Sequence, residues 1–180
     1  TLALIQRRAQ DPRAVVALAR AQERDLRSWL FERTDPAGGT VRSELDRAAG
    51  EVEATHGVPV EVVVVGDRPV DDALRAAVRA AREAMVNAAR HSGADVVDVY
   101  AECGEEAVEV FVRDRGTGFD PGAVPADRMG LSGSVVGRMA RHGGSARVRS
   151  APGEGTEVAL TVPLRPVRAP GPVAAQGKSS

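Results

Sequence analysis

Two pairs of alternating segments, each folded about a short glycine-containing turn, restrict the architecture of this chain more than any other feature. Residues 95–103 and 106–113 flank Gly104-Glu105, and residues 145–151 and 156–164 flank Pro152-Gly153-Glu154-Gly155. Alternating apolar runs joined by such turns predict antiparallel hairpins. Helical patterns precede and separate them: a charged helix over 41–55, an alanine-rich helix over 70–91 that stops at Ser92-Gly93, and a helix over 131–142 that stops at Gly143-Gly144. A further strand over 58–65 is nearly all valine, a pattern expected of a strand buried on both faces or at the sheet centre. Hairpins with helices before and between them predict an α+β fold, a two-layer α/β sandwich in which a mixed, mostly antiparallel sheet carries helices on one face.

With aromatic residues at only 3% of the chain, valine, alanine and leucine must fill the core, and a hydrophobic fraction of 43% suffices for one. The net charge of −1 provides no basic field for nucleic acid or a membrane surface. The single cysteine, Cys103, excludes an internal disulfide and argues against a cysteine-based metal site. It has core parity in its strand, as expected of a buried, inert thiol. No apolar run is long enough to span a bilayer and no signal peptide is visible. The chain begins at Thr1 rather than Met. We therefore expect a piece of a longer protein, with a membrane segment left open in the upstream part.

Residues 1–10 read as a short helix. Asp11-Pro12 then supplies a cap and a first-turn proline. From Arg13 to Phe31 the apolar residues Val15, Leu18, Ala19, Leu26, Trp29 and Leu30 recur at helical spacing. Residues 1–33 thus form an expected helical hairpin, whose stripe packs either on the following domain or in a bundle with a second chain. Residues 34–40 are a linker, 41–164 the main domain, and 165–180 a Pro-, Gly- and Ser-containing tail expected to be disordered.

Within the 70–91 helix, Leu74, Val78, Ala81, Met85 and Ala88 form one apolar seam. Glu83, Asn87 and His91 lie one turn apart on a second face, since about 100° per residue puts Glu83 roughly opposite Met85. A solvated face, in keeping with Arg79 and Arg82, is the ordinary explanation. Against it, Asn is mildly unfavourable inside a helix, and Glu and Asn one turn apart supply oxygens suited to a hard cation. In the strand over 106–113, Val108, Val110 and Val112 share a face, and Asp114 continues their parity. If the strand persists, a carboxylate points toward the apolar side and needs a donor; if it has ended, Asp114 merely opens a turn. Gly116 and Gly118 suit either case, because glycine permits a positive φ and lets a flat ligand approach the backbone. Gly130-Leu131-Ser132-Gly133 opens a helix whose free N–H groups can bind phosphate, or is an ordinary cap. Residues 119–129 suit a mobile flap.

Taken in order, Glu83 to His91, Asp114-Arg115-Gly116-Thr117-Gly118, Gly130-Leu131-Ser132-Gly133 and Gly155-Thr156 resemble the N, G1 and G2 boxes and the closing Gly-Thr of the catalytic ATP-binding domain of sensor histidine kinases, in the Bergerat-fold (GHKL) ATPase superfamily. The Gly-Leu-x-Gly form and the Gly-Thr-x-Val-x-Leu-x-Val-Pro ending are similar to the subfamily that partners helix-turn-helix response regulators. The 1–33 hairpin resembles the end of that subfamily's dimerisation and phosphoacceptor domain. The resemblance implies ATP and Mg²⁺ as cofactors. By position, it implies that Asp114 accepts from the adenine amino group and that Gly116 and Gly118 line the adenine side. Asn87 would hold Mg²⁺, with Glu83 as a further candidate ligand and the acidic residue that orients or activates the reacting group. Arg90 and His91 would sit near the phosphates, Gly130, Leu131 and Gly133 would form the hinge and cradle, and Thr156 would close the adenine pocket. It also implies a γ-phosphoryl transfer to histidine, a response regulator as partner, a homodimeric parent, no direct nucleic-acid binding, and a cytoplasmic domain of a membrane-anchored protein.

One departure from the family matters. The family's acceptor histidine is followed by an acidic residue on the first dimerisation helix, and none of His56, His91 and His142 fits. The expectation is a fragment that binds ATP·Mg²⁺ without phosphorylating itself, its acceptor lying upstream. Two rivals share the fold: an anti-sigma-factor or partner-switching module with serine kinase activity, against which the 1–33 hairpin argues, and a degenerate domain without nucleotide, against which Glu83, Asn87 and Asp114 argue.

Overall fold

A computed structural model describes residues 39–123 and 130–164, without the side chains of 130–134. The expected hairpin over 1–33, the linker up to residue 38, residues 124–129 of the flap and the tail over 165–180 lie outside the described residues.

Helix α1 (Val41–His56) starts where Thr40 and Ser43 cap each other reciprocally and stops at Gly57, whose left-handed backbone (φ 71°) returns its N–H to the Glu53 carbonyl. The buried Glu53 carboxylate accepts the Val60 N–H at 2.7 Å and so fixes the turn into β1 (Val60–Val65). Helix α2 (Asp72–His91) begins under the Asp71 side chain, which accepts the Leu74 N–H at 2.8 Å. Strands β2 (Val97–Cys103) and β3 (Ala107–Asp114) make the first hairpin. Helix α3 (Gly130–Arg141) separates it from the second, β4 (Ser145–Ala151) and β5 (Gly155–Pro163). The sheet has five strands in the order β1-β2-β3-β5-β4, and only the β1–β2 pair is parallel. This is the α+β fold expected from the hairpins.

The core lies between one face of the sheet and the helices. Val99, Val112, Val158 and Val148 stand in register across four strands, and Ala101, Val110, Leu160 and Ala146 form the next row. Against these rows sits the apolar seam of α2, with Leu74, Val78, Ala81, Met85 and Ala88 all buried. Alanines at 76, 77, 80 and 84, off that seam, are buried too, because α2 also packs against α1 and α3. Fully burying a valine or leucine contributes roughly 1.5–3 kcal/mol, so these rows supply much of the stability.

The valine-rich strand departs from expectation. It is the sheet edge rather than the centre, and it is buried on one face only: Val60 and Val64 are buried, but Val63 and Val65 are 56% and 49% exposed. The helices pack on one side of the sheet, so its other side faces solvent. Valine is placed there by its stiff, extended backbone preference, which favours strand whether or not the side chain is covered. Cys103 keeps its core parity but is only half-buried at the strand end, and burial pushes its thiol pKa up, away from reactivity.

Candidate functional site

The strand parity that buries Val108, Val110 and Val112 persists one step further. Asp114 is the last residue of β3 and is 4% exposed. Its register partner on β5 is Thr156, whose own partner on β4 is Ser150. One pleat beyond the all-valine row, the helix-side face of the sheet therefore carries Val97, Asp114, Thr156 and Ser150 in line. A carboxylate and two hydroxyls at the end of an apolar layer form a polar floor.

The loop leaving β3 is bound tightly to its surroundings. Asp114 Oδ1 accepts the Gly116 N–H at 3.0 Å, and the Thr117 N–H donates to the Ser92 carbonyl at 2.7 Å. A Cβ at Gly116 would collide with that same carbonyl, so glycine lets the loop lie against the end of α2. Gly118 has φ 57°, and a Cβ there would collide with the Ala151 carbonyl, so both its conformation and its surroundings exclude a side chain. Gly153 N–H donates to the Thr117 carbonyl at 2.7 Å, and Phe119 N–H donates to Ser150 Oγ at 2.9 Å. The loop thus joins the C-terminus of α2 to the β4–β5 turn.

On α2, Glu83 and Asn87 are half-buried and His91 is exposed, as is Arg90. Glu83 Oε2 pairs with Arg138 Nη1 of α3 at 3.0 Å, with side chains 28% and 31% exposed. Gly130 begins α3; Leu131 and Gly133 lie in its first turns, but their side-chain surroundings are outside the described residues. Among the described residues no three His, Cys, Asp or Glu side chains cluster as a metal cage. Glu83 and Asn87, one turn apart on α2, are the oxygen donors that could hold a hard cation on this face.

Asp114, Gly116, Gly118 and Thr156 are therefore gathered at one end of the sheet, beside the end of α2 that carries Asn87, Arg90 and His91. Sequence reasoning missed Ser150 and Arg138, and read Ser92 only as a helix stop. Ser150 was accessible: counting back from the Ala151–Gly155 pair that closes the turn places it opposite Thr156. Arg138 was not, because nothing in the pattern of α3 says which of its arginines meets α2.

Residues 72–166 match the family of histidine kinase-, DNA gyrase B- and HSP90-like ATPases. An uncharacterized sensor-like histidine kinase of Chloroflexus aurantiacus is 28% identical over 163 residues, 82% of this chain and 27% of that protein. Sensor histidine kinase LiaS of Bacillus subtilis is 36% identical over 88 residues, 49% of this chain and 24% of that protein. The chain thus spans about a quarter of the length of these curated relatives. Among solved structures, the histidine kinase domain of the Erythrobacter litoralis EL346 blue-light activated histidine kinase has the same fold, with a TM-score of 0.57 and 24% identity over 70% of this chain and 62% of that one. The ATP-binding domain of PrrB from Mycobacterium tuberculosis is 28% identical with a TM-score of 0.50, covering 67% of this chain and 91% of that domain.

Proposed function

Because the chain belongs to the family of histidine kinase-, DNA gyrase B- and HSP90-like ATPases, we propose that residues 41–164 are the ATP-binding catalytic domain of a two-component sensor histidine kinase. The observation that carries this reading is the buried Asp114 in register with Thr156, at the mouth of a loop whose glycines lie against neighbouring carbonyls. The named relatives being sensor histidine kinases favours the kinase over a partner-switching module.

On this reading the Asp114 carboxylate, with one oxygen held by Gly116 N–H, accepts from the adenine amino group through the other. Gly116 and Gly118 line the adenine and Thr156 closes the pocket. Asn87, with Glu83 as a second oxygen donor, holds Mg²⁺ on the phosphates. Arg90 and His91 add positive charge beside them, and the first turn of α3 from Gly130 through Leu131 to Gly133 directs N–H groups at them. Glu83, held in place by Arg138, orients the reacting group. Phosphoryl transfer depends mainly on such positioning and charge neutralisation.

The γ-phosphoryl would pass to a histidine and then to a response regulator with a helix-turn-helix output domain, within a homodimer. His56 and His91 are the last residues of α1 and α2, and His142 follows α3, positions that suit a helix C-terminus rather than an acceptor. The acceptor is therefore sought outside the present residues. No helix among the described residues is long and apolar enough to cross a membrane; we place the domain in the cytoplasm of a membrane-anchored parent.

A thermal shift with ATP·Mg²⁺ tests the binding. At ~100-fold excess over Kd, stabilisation of about 2.7 kcal/mol is expected, lost in Asp114→Ala and less dependent on magnesium in Asn87→Ala. If the wild type shows no shift, the reading fails. Incubation with γ-labelled ATP should leave no acid-labile label on this chain.

A further inference from the structure

The Ser150 hydroxyl occupies a position that neither the family boxes nor the proposed contacts use. Its Oγ lies 2.9 Å from the Gly155 carbonyl, 2.9 Å from the Phe119 nitrogen and 3.0 Å from Thr156 Oγ1. A hydroxyl has one proton and two lone pairs. The Gly155 carbonyl has no proton, so Ser150 must donate to it. Phe119 N–H can only donate, so it fills one lone pair of Ser150. With the Ser150 proton committed, the remaining contact has Thr156 as donor, into the second lone pair. Ser150 is then saturated, and Thr156 has no proton left to offer a ligand, only lone pairs.

Beside it, Asp114 is in the same position. One carboxylate oxygen accepts the Gly116 N–H at 3.0 Å. Asp114 and Thr156 are register partners, so two neighbouring groups of the floor present acceptors alone. The arrangement is held by backbone, since Phe119 follows the loop anchored by Thr117 N–H on Ser92 and by Gly153 N–H on Thr117.

We infer that Ser150 is a positioning residue for ligand selection: by taking the Thr156 proton it leaves Thr156 an acceptor beside Asp114, so that a 6-amino purine, whose amino group has two protons to give, can satisfy both, whereas a 6-keto purine has only its N1–H to give and turns its oxygen toward lone pairs. This rests on the reading of the site as an adenine-nucleotide pocket. A polar site built for one hydrogen-bonding pattern discriminates strongly against the reverse pattern, because its buried groups are then left unpaired. A serine that merely braced the β4–β5 turn would affect all nucleotides alike.

The test is a calorimetric titration of the full chain with ATP and with inosine triphosphate, both with magnesium, for wild type, Ser150→Ala, Ser150→Cys and Ser150→Thr, with circular dichroism to verify folding. Wild type should prefer ATP. Ser150→Ala, which frees the Thr156 hydroxyl to rotate and donate, should lower the ATP-to-inosine-triphosphate affinity ratio by about tenfold, the worth of one hydrogen bond. Ser150→Thr should restore the ratio. If the alanine variant does not fold, Ser150→Cys, which keeps the shape and weakens the bonds, should show the same lowered ratio. An equal loss for both nucleotides, an unchanged ratio, or a wild type without preference overturns the role of Ser150 while leaving ATP binding intact. A wild type that binds neither nucleotide removes the pocket reading itself.

Discussion

Two rows of side chains on the same face of the sheet, one pleat apart, do opposite work. The row Val99, Val112, Val158 and Val148 is continuous hydrocarbon under the helices; the row Val97, Asp114, Thr156 and Ser150 is polar from β3 to β4. Both have the same parity and the same strands beneath them. The difference lies in what closes over each row. Helices α2 and α3 cover the valines, whereas the polar row lies at the sheet end, where the glycine loop and the end of α2 meet. The sheet supplies a rigid frame in both places, and the chemistry changes with a two-residue step along each strand.

The most severe way to break the polar row is to displace the loop that borders it. Gly118→Val puts a branched side chain at φ 57° and against the Ala151 carbonyl. We expect a loss of about 3 kcal/mol or more in urea unfolding, together with loss of nucleotide binding. A smaller loss would mean that the loop can move away from β4 without unfolding the row.

Exchanging the two rows' chemistry tests the comparison directly. Val158 is 2% exposed, and Val158→Thr buries a hydroxyl among hydrocarbon, at an expected cost of about 1–3 kcal/mol. The reverse exchange two residues away, Thr156→Val, should cost about 1 kcal/mol or less, because Ser150 keeps its bonds to Gly155 and Phe119. It should instead weaken ATP binding in a titration. Equal stability losses in the two variants would show that the rows do not differ as described.

The ion pair between α2 and α3 should matter less. Glu83 and Arg138 are each about three-tenths exposed. Arg138→Ala should therefore cost roughly 0–1 kcal/mol, with a difference that shrinks in high salt. A salt-independent loss above that range would mark the pair as part of the core rather than of the site.

The sequence made these regions legible to different degrees, for physical reasons. Hairpin turns and period-two alternation located β2 to β5, and the parity of Val108, Val110 and Val112 pointed to a buried Asp114 before any contact was known. The phase of α2 separated its seam from Glu83, Asn87 and His91. Ser150 escaped notice and Ser92 registered only as a helix stop, because a serine at a strand or helix end looks like an ordinary terminator; only register and loop contact distinguish them. Arg138 depends on how α3 docks against α2, which no local pattern encodes. The strand over 60–65 misled for a related reason: a valine run reports backbone preference and burial together, and the sequence alone does not separate the two.

That ambiguity gives the smallest predicted effect. Val63 points away from the helices and is 56% exposed, with Tyr100 and Phe111 beside it in register on the solvent side. Val63→Thr preserves the branched shape that favours strand while adding a hydroxyl that water can satisfy. Its effect on unfolding should stay within about 0.5 kcal/mol, in contrast to Val158→Thr, the same chemical change on the covered face. The pair isolates burial from β propensity, because both sites are valines in one sheet. If Val63→Thr instead costs as much as Val158→Thr, the outer face is covered in solution, and the valine run was reporting burial on both faces.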